Sequence, residues 1–239
     1  MTVSPRRILV TGGASGLGRG IAAAFREAGD EVIIGDVNAE AAAAVAAELG
    51  ATAIALDISD PASVAAAGAA LGGIDVLVNN AGVVLGGGTQ QEVPLEVFDA
   101  AVAVNIRGTF LMLREFAGRL PDGGAIVNTS SIGARQPTPG MGHYEMTKAA
   151  VDAMTRTAAI ELAGRRIRVN AVAPGPILTP LTAGFATDPQ ARAAWEARIP
   201  LGTIAEVAQV APLVVFLASP AASHITGVSV PVDGGQLLV

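Results

Sequence analysis

Short apolar runs alternate along this chain with longer segments in which apolar residues recur three or four positions apart. The short runs are typical of buried strands, and the longer periodic segments are typical of helices. The pattern predicts seven strands, near residues 7–11, 31–35, 52–56, 74–78, 124–128, 167–172 and 228–231. Because helical segments separate the strands, we expect one α/β domain over residues 1–239, built as a doubly wound parallel sheet with helices on both faces.

One stretch, residues 181–201, breaks this alternation. It is rich in alanine and contains Gly184, Pro189 and Pro200 around a short helical piece. Such an insertion late in the chain is a candidate lid over a substrate, with Phe185 or Trp195 meeting the substrate. A surface excursion without a function is the alternative interpretation.

Composition narrows the possible functions. The formal net charge is −6 and the arginine pairs are isolated, which argues against a nucleic-acid partner. The chain has no cysteine for disulfides or thiolate chemistry, and its two histidines predict no metal site. The longest apolar stretch near the end is too short to cross a bilayer, and no signal sequence precedes the first strand. We therefore expect a cytoplasmic protein without a membrane partner.

A glycine-rich turn follows the first predicted strand and leads into an alanine-rich helix. Gly12, Gly16 and Gly18 would let the backbone turn tightly and approach a pyrophosphate, whose charge the start of the helix would stabilise. The spacing G-x-x-x-G-x-G differs from the commoner G-x-G-x-x-G fingerprint of Rossmann folds. A tight strand-to-helix connection without a ligand is the alternative.

The second predicted strand ends at Asp36, about twenty residues after Gly16, where a Rossmann-type fold holds the adenosine ribose. A carboxylate at this position accepts hydrogen bonds from ribose hydroxyls and repels a 2′-phosphate. Neither Val37 nor Ser15 supplies the cation that such a phosphate would need. The sequence therefore predicts NAD(H) as the cofactor rather than NADP(H). The alternative is that Asp36 caps the helix over residues 39–49.

Tyr144 and Lys148 lie four residues apart in a segment of helical pattern, so both side chains share one face. An ammonium near a phenol favours the phenolate, which predicts that Lys148 lowers the pKa of Tyr144 and prepares it for proton transfer. Ser131 follows a predicted buried strand, where its hydroxyl could hold a carbonyl or alcohol oxygen. A solvated helix face with an extended lysine is the alternative for the pair.

Taken together, these motifs resemble the short-chain dehydrogenase/reductase family. The resemblance rests on TGGASGLG (residues 11–18), NNAG (79–82), VNIRGTF (104–110), SS (130–131), YEMTK (144–148) and PGPILT (174–179), and VDGG (232–235) extends it nearly to the end. It implies a reversible hydride transfer between a secondary alcohol and a ketone.

The resemblance also implies residue roles. Tyr144 is the expected general acid/base, and Lys148 is its pKa-lowering and ribose-binding partner, so both are also expected to bind the cofactor. Ser131 is the expected ligand of the substrate oxygen, and Asn105 the residue that holds a water in the proton relay. The other residues expected to contact the cofactor are Gly12, Ser15, Gly16, Leu17, Gly18, Asp36, Val37, Asp57, Ile58, Asn80, Ala81, Gly82, Pro174, Gly175, Ile177 and Thr179.

The resemblance implies a homotetramer, and it leaves the substrate open. The residues expected to line the pocket are mostly apolar: Gln136, Pro137, Met141, His143, Ile177, Leu178, Phe185 and Trp195. They favour a small or hydrophobic alcohol, diol, hydroxysteroid or sugar-type substrate. Glu145 departs from the small residues usual after the tyrosine, and its charge would oppose ionisation of the phenol. The alternatives are a 3-oxoacyl-[acyl-carrier-protein] reductase that uses NADPH and a non-catalytic NAD-sensing protein.

Overall fold

The computed structural model describes residues 5–239, apart from the side chains of Leu181, Phe185 and Ala186. The strands within these residues are β1 (Arg7–Thr11), β2 (Glu31–Asp36), β3 (Thr52–Ala55), β4 (Val76–Asn79), β5 (Ala125–Thr129), β6 (Arg168–Pro174), β7 (Ile177–Leu178), β8 (Ala205–Glu206) and β9 (Ser229–Val232). Seven of them form one parallel sheet in the order β3-β2-β1-β4-β5-β6-β9, and β7 pairs with β8 in a separate ribbon. The predicted doubly wound sheet is confirmed, whereas the short β7–β8 ribbon was not predicted.

The helices are α1 (Gly16–Glu27), α2 (Ala39–Leu49), α3 (Pro61–Leu71), α4 (Leu95–Ala101), α5 (Thr109–Phe116), α6 (Gly142–Leu162), α7 (Ala183–Ala186), α8 (Pro189–Glu196) and α9 (Val207–Ala218). Polar residues cap several of them. The Asn38 Oδ1 atom accepts a hydrogen bond of 3.0 Å from the Ala41 amide at the start of α2. Asn38, and not Asp36, therefore caps this helix.

Helices cover both faces of the sheet because alternate strand residues point to opposite sides. In β1, Ile8 and Val10 pack with Phe25 of α1 on one face. Leu9, between them, packs on the other face with Met112 and Phe116 of α5. Burial of these side chains on both faces is the main force that holds the layers together.

The helical stretch between β4 and β5 is interrupted. A π-helical segment, Val102–Gly108, separates α4 from α5 and carries the buried residue Asn105. Gly108 ends this segment against Ile58, where an added Cβ would lie 2.8 Å from two carbons of the isoleucine side chain. A π-helical turn inside a helix is frequent at functional sites, and residue pattern alone does not reveal it.

The strand order reverses between β1 and β4, which are neighbours in the sheet although β2 and β3 lie between them in the chain. In open α/β sheets, ligands bind in the crevice outside the carboxyl ends of the strands at such a reversal. The turns after β1, β4 and β5 all open at this edge, and they carry most of the candidate site residues.

Candidate active site

A cavity of about 820 Å³ lies at the carboxyl edge of the sheet. Apart from Asn105, every residue that the sequence proposed for catalysis or cofactor binding lines this cavity. The cavity is thus lined by segments that extend in the chain from the turn after β1 to residue 236. We call the part near Gly12 and Asp36 the cofactor wall, and the part near Ser131, Glu145 and Gln236 the substrate wall.

The glycine-rich turn of the cofactor wall is tightly packed. Gly12 and Gly16 have φ angles of +62° and +50°, which L-residues with a side chain rarely adopt. A Cβ on Gly12 would lie 2.8 Å from Ala81 Cα, and one on Gly18 would overlap the Gly12 carbonyl oxygen. The absence of side chains leaves the backbone and the start of α1 open to the cavity, which suits a pyrophosphate.

Side-chain hydrogen bonds join the turn after β1 to the turn after β4. The Thr11 Oγ1 atom accepts hydrogen bonds of 3.0 Å from the amides of Asn80 and Ala81. In return, the Asn80 side-chain amide donates to the carbonyl oxygens of Thr11 and Gly12 at 3.1 and 3.3 Å. The predicted pair of turns therefore forms one rigid floor at the reversal of strand order.

Asp36 lies at the rim of the cofactor wall, with each carboxylate oxygen held by a backbone amide. Its Oδ2 atom accepts from the Ala14 amide at 3.1 Å, and its Oδ1 atom accepts from the Asn38 amide at 3.0 Å. Val37 beside it is 73% exposed. Among the cavity-lining residues that the structure describes, Lys148 is the one lysine or arginine. The described rim near Asp36 therefore offers no cation for a 2′-phosphate.

Asp57 and Ile58 continue the cofactor wall after β3. The Asp57 carboxylate accepts hydrogen bonds from the Ser59 amide at 2.8 Å and the Ser59 hydroxyl at 2.7 Å. Ile58 is buried and also packs against Gly108. This arrangement presents an apolar side chain and an ordered turn to the cavity at this part of the cofactor wall.

Ser131, Tyr144 and Lys148 meet at one point of the cavity. The Ser131 hydroxyl is hydrogen-bonded to the Tyr144 side chain and accepts from the Gly133 amide at 3.1 Å. Lys148 Nζ donates to the Thr129 carbonyl oxygen at 2.8 Å and lies 5.7 Å from the centre of the Tyr144 ring. A substrate oxygen placed beside Ser131 and Tyr144 would meet both a hydrogen-bond donor and a proton-transfer group.

The electrostatics of this group differ from the prediction. Burial raises the pKa of Tyr144 to about 12, the hydrogen bond with Ser131 lowers it, and the charge of Glu145 raises it. Burial also lowers the pKa of Lys148 to about 8, against the opposing charge of Asp152. The prediction that the pKa of Tyr144 is lowered is wrong, because desolvation of the phenolate outweighs the effects that favour it. The predicted effect of Glu145 has the expected direction.

Asn105 does not line the cavity, and its side chain forms hydrogen bonds with the backbone of Val83. Its Oδ1 accepts from the Val83 amide at 2.8 Å, and its Nδ2 donates to the Val83 carbonyl at 2.9 Å and to Thr147 Oγ1 at 3.1 Å. Its own carbonyl oxygen accepts from the Thr109 hydroxyl at 2.8 Å. Asn105 thereby fixes the loop after β4 against α6. Its role in holding a water stays a prediction.

The segment after β6 closes the end of the cavity. Pro174, Gly175, Ile177 and Thr179 all line it. The Ile177 carbonyl accepts a hydrogen bond of 2.5 Å from the Thr182 hydroxyl, which fixes the turn after β7. A Cβ on Gly175 would lie 3.1 Å from Asp233 Cα, so this segment packs closely against the turn near the end of the chain.

The residues proposed for the substrate pocket divide into two groups. Gln136, Met141, Ile177 and Trp195 line the cavity, whereas Pro137, His143 and Leu178 do not. The Phe185 side chain lies outside the described residues. The prediction that His143 lines the pocket is wrong. It is buried, and its Nε2 atom lies 2.7 Å from the Leu85 carbonyl oxygen, which anchors the loop after β4.

Sequence reasoning did not propose Thr138, Gly133 or Gln236 as site residues, although all three line the cavity. Gln236 is buried and donates through Nε2 to Gln136 Oε1 at 3.0 Å. The two glutamines are separated by 100 residues in the chain, so no local pattern could reveal this pair.

The residues present fit a nicotinamide dinucleotide. The side-chain-free turn at the start of α1 suits the pyrophosphate, the Asp36 carboxylate suits a ribose, and the cavity continues to the Ser131 and Tyr144 hydroxyls. Across the described residues, no group of three histidine, cysteine, aspartate or glutamate side chains could hold a metal. No described helix is long and apolar enough to span a membrane. Fold and site together define a dinucleotide-dependent oxidoreductase.

Comparison with known proteins agrees with this class. A family model described as Enoyl-(Acyl carrier protein) reductase matches residues 12–236. The chain is 41% identical to 2,5-dichloro-2,5-cyclohexadiene-1,4-diol dehydrogenase LinX of Sphingobium indicum over 95% of this chain and 94% of the relative. A short-chain type dehydrogenase/reductase from Mycobacterium ulcerans has a structure with a TM-score of 0.95 and 34% identity, covering 100% of this chain and 92% of that one.

A second solved structure is that of 3-ketoacyl-(acyl-carrier-protein) reductase from Brucella melitensis complexed with NADH. It has a TM-score of 0.88 and 38% identity, covering 97% of this chain and 98% of that one. The chain belongs to the short-chain dehydrogenase/reductase family. It is an oxidoreductase that acts on secondary alcohols and ketones with a nicotinamide cofactor, as the sequence predicted.

Proposed function

We propose that this protein catalyses the reversible, NAD(H)-dependent oxidation of a small or hydrophobic secondary alcohol, with a diol as the favoured class. The observation that carries the proposal is the convergence of the Ser131 hydroxyl, the Tyr144 phenol and the Lys148 ammonium beside the glycine turn. The diol dehydrogenase that resembles this chain over nearly its whole length supports the substrate class.

The side chains have separate tasks in oxidation. Ser131 holds the substrate hydroxyl oxygen, and the Tyr144 phenolate removes its proton. Lys148, fixed by the Thr129 carbonyl, places a positive charge near the phenol and stabilises the phenolate. The bound nicotinamide supplies or accepts the hydride. In reduction, the Tyr144 phenol donates its proton to the forming alkoxide.

The NAD(H) preference rests on Asp36. Its carboxylate is fixed by two backbone amides, so it cannot turn away from a 2′-phosphate without losing both hydrogen bonds. A phosphate there would meet a like charge, which costs several kcal/mol. The absence of a cation from the described rim adds to this preference.

A 3-oxoacyl-[acyl-carrier-protein] reductase is the second candidate function, since one similar structure is named for this reaction. The description of the family model also names an acyl carrier protein, although it refers to reduction of an enoyl group. Such an enzyme needs a basic surface to dock an acidic carrier protein. The net charge of −6 and the Asp36 carboxylate count against it. A non-catalytic NAD-sensing protein is the third, and the assembled Ser131–Tyr144–Lys148 group counts against that one.

Three finer expectations stay predictions. They are the cytoplasmic location, the homotetramer and the closing of residues 181–201 over the substrate. Trp195 lines the cavity, which supports the lid.

The experiment that tests the proposed function is a turnover panel. Purified protein is given NAD or NADP with mono-alcohols and diols, and NADH or NADPH with ketones, hydroxyketones and acyl thioesters. We expect turnover with NAD(H) on alcohols and ketones and little with NADP(H). Turnover that requires NADPH and an acyl thioester would favour the carrier-protein reductase, and cofactor binding without any turnover would favour the sensor.

A further inference from the structure

We propose that Glu145 selects the substrate by accepting a hydrogen bond from a second hydroxyl group, carried on a carbon next to or near the reacting one. The inference rests on the proposed function and deepens it, because it names the substrate feature that the site recognises: a diol in oxidation and a hydroxyketone in reduction.

Glu145 lies on the substrate wall beside the reacting oxygen. It follows Tyr144 directly in α6 and lines the cavity. Gly133 lies between Glu145 and Ser131. A Cβ placed on Gly133 would lie 3.1 Å from Glu145 Cγ, 3.8 Å from Glu145 Oε1 and 3.4 Å from Ser131 Oγ. The Ser131 hydroxyl and the Glu145 carboxylate therefore both lie beside Gly133, so a substrate with two neighbouring oxygen functions can reach both groups.

The carboxylate has capacity for another hydrogen bond. Its Oε1 atom accepts from the Thr138 amide at 2.6 Å, which fixes the side chain in place. Within the described part of the chain, no lysine, arginine or histidine forms an ion pair with it, and no hydrogen bond reaches its Oε2 atom. An ionised carboxylate only accepts hydrogen bonds, so the group that completes this site must be a donor.

The charge of Glu145 opposes alcohol oxidation unless a hydrogen-bond donor disperses that charge. It raises the pKa of Tyr144 and so disfavours the phenolate that oxidation requires. A substrate hydroxyl that donates to the carboxylate disperses this charge, because hydrogen bonding to an ionised group stabilises it. A diol therefore both satisfies Glu145 and eases ionisation of Tyr144, whereas a mono-alcohol does neither.

The negative charge of Glu145 disfavours anionic substrates. A carboxylate or phosphate on the substrate would face a like charge at Glu145, and Lys148 is the one lysine or arginine among the described lining residues. Ser131, Gly133, Met141 and Ile177 on the same wall are uncharged, which suits a neutral substrate that carries hydroxyl groups.

The test compares kcat/KM for vicinal cyclohexanediol with kcat/KM for cyclohexanol in the native protein, Glu145→Leu and Glu145→Gln. The ratio of the two values at one pH cancels the effect of each substitution on the pKa of Tyr144 in the free enzyme, because both substrates share it. We expect the native protein to favour the diol by about 10-fold, since a hydrogen bond to a half-buried charged acceptor contributes a free energy of that order. Glu145→Leu should abolish the preference, and Glu145→Gln, which keeps an oxygen acceptor, should retain part of it.

Glu161→Leu is the matched control, because Glu161 is an exposed glutamate on the same helix; this variant should keep the native ratio. NADH affinity is measured in all variants, and it should be unchanged. If Glu145→Leu does not fold, the diol-to-cyclohexanol ratios of the native protein and of Glu145→Gln still test the inference.

Several results would overturn the inference. One is a native ratio near unity, and another is a Glu145→Leu variant that keeps the diol preference. Equal losses on both substrates together with weaker NADH binding would assign Glu145 to the cofactor instead. Oxidation of cyclohexanol without diol preference would reject this inference alone, whereas absence of turnover on every alcohol would reject the proposed function with it.

Discussion

The cofactor wall and the substrate wall of the cavity are built in different ways. At the cofactor wall, Gly12, Gly16 and Gly18 remove side chains and leave backbone groups open to the ligand. At the substrate wall, side chains such as Ser131 and Glu145 supply the contacts. The first wall depends on backbone shape, whereas the second depends on the identity of its side chains.

The two walls also differ in the groups that hold them. At the cofactor wall, the side chains of Thr11 and Asn80 form hydrogen bonds with the backbone of the turns after β1 and β4. At the substrate wall, the side chains of Gln136 and Gln236 form a hydrogen bond with each other. Substitutions should therefore affect cofactor binding at the first wall and selectivity at the second.

The largest effect should come from reversing the charge at the rim of the cofactor wall. In the double variant Asp36→Ala, Val37→Arg, a cation replaces the carboxylate that faces a 2′-phosphate. Removing a like charge and adding an opposite one should move the ratio of kcat/KM for NADH and NADPH by about 10²-fold or more toward NADPH. Steady-state rates with both cofactors measure this ratio, and an unchanged ratio would show that Asp36 does not determine the preference.

A smaller but distinct loss should follow from filling the glycine turn. In Gly18→Ala, the new Cβ meets the Gly12 carbonyl oxygen and the Asn80 side-chain amide, so the turn must shift. Overpacking costs about 1–3 kcal/mol, which predicts an NADH affinity weaker by about 10-fold or more. Gly118→Ala is the control, because Gly118 is exposed and has no atom within 4 Å of an added Cβ. Native NADH affinity in Gly18→Ala would contradict the tight-turn account.

At the substrate wall, Glu145→Gln should shift the pH dependence of alcohol oxidation. The charge of Glu145 raises the pKa of Tyr144, so its removal lowers that pKa and lets the phenolate form at lower pH. The acidic limb of the kcat/KM profile should therefore move toward lower pH. Glu161→Gln, an exposed change on the same helix, should leave the profile in place. A shift toward higher pH in Glu145→Gln would refute the assigned sign.

The smallest effect is expected at the candidate lid. Trp195 lines the cavity and its ring stacks under the Arg198 guanidinium at 4.8 Å. Trp195→Ala should change the ranking of alcohol substrates by kcat/KM while NADH affinity stays near native. If NADH affinity changes and the ranking does not, residues 181–201 serve the cofactor and not the substrate.

The sequence was sufficient for the sheet and for the cofactor wall. Strands that are buried on both faces can be recognised as continuous apolar runs. The turn after β1 can be recognised by Gly12 and Gly16, because its positive φ angles favour glycine. Tyr144 and Lys148 could be paired because a helix fixes the relation of residues four apart. These features are local, so they can be predicted from the order of residues.

The rest depends on packing between distant segments. The π-helical turn at Val102–Gly108 arises where the helix meets the β3 turn, and the burial of His143 arises from its contact with Leu85. The pKa of Tyr144 was predicted in the wrong direction because the sequence shows the nearby Lys148 charge but not the extent of burial. Desolvation is a property of the folded site, and it outweighs the pairwise effect here.

Tyr144 should transfer the proton without contributing to the affinity of the cofactor wall for NADH. One preparation of Tyr144→Phe tests this directly, with NADH affinity measured by fluorescence titration and alcohol oxidation measured with NAD. We predict native NADH affinity together with turnover reduced by about 10²-fold or more, the usual contribution of a general acid/base. Turnover near the native rate, or a loss of activity that merely follows weaker NADH binding, would contradict the account.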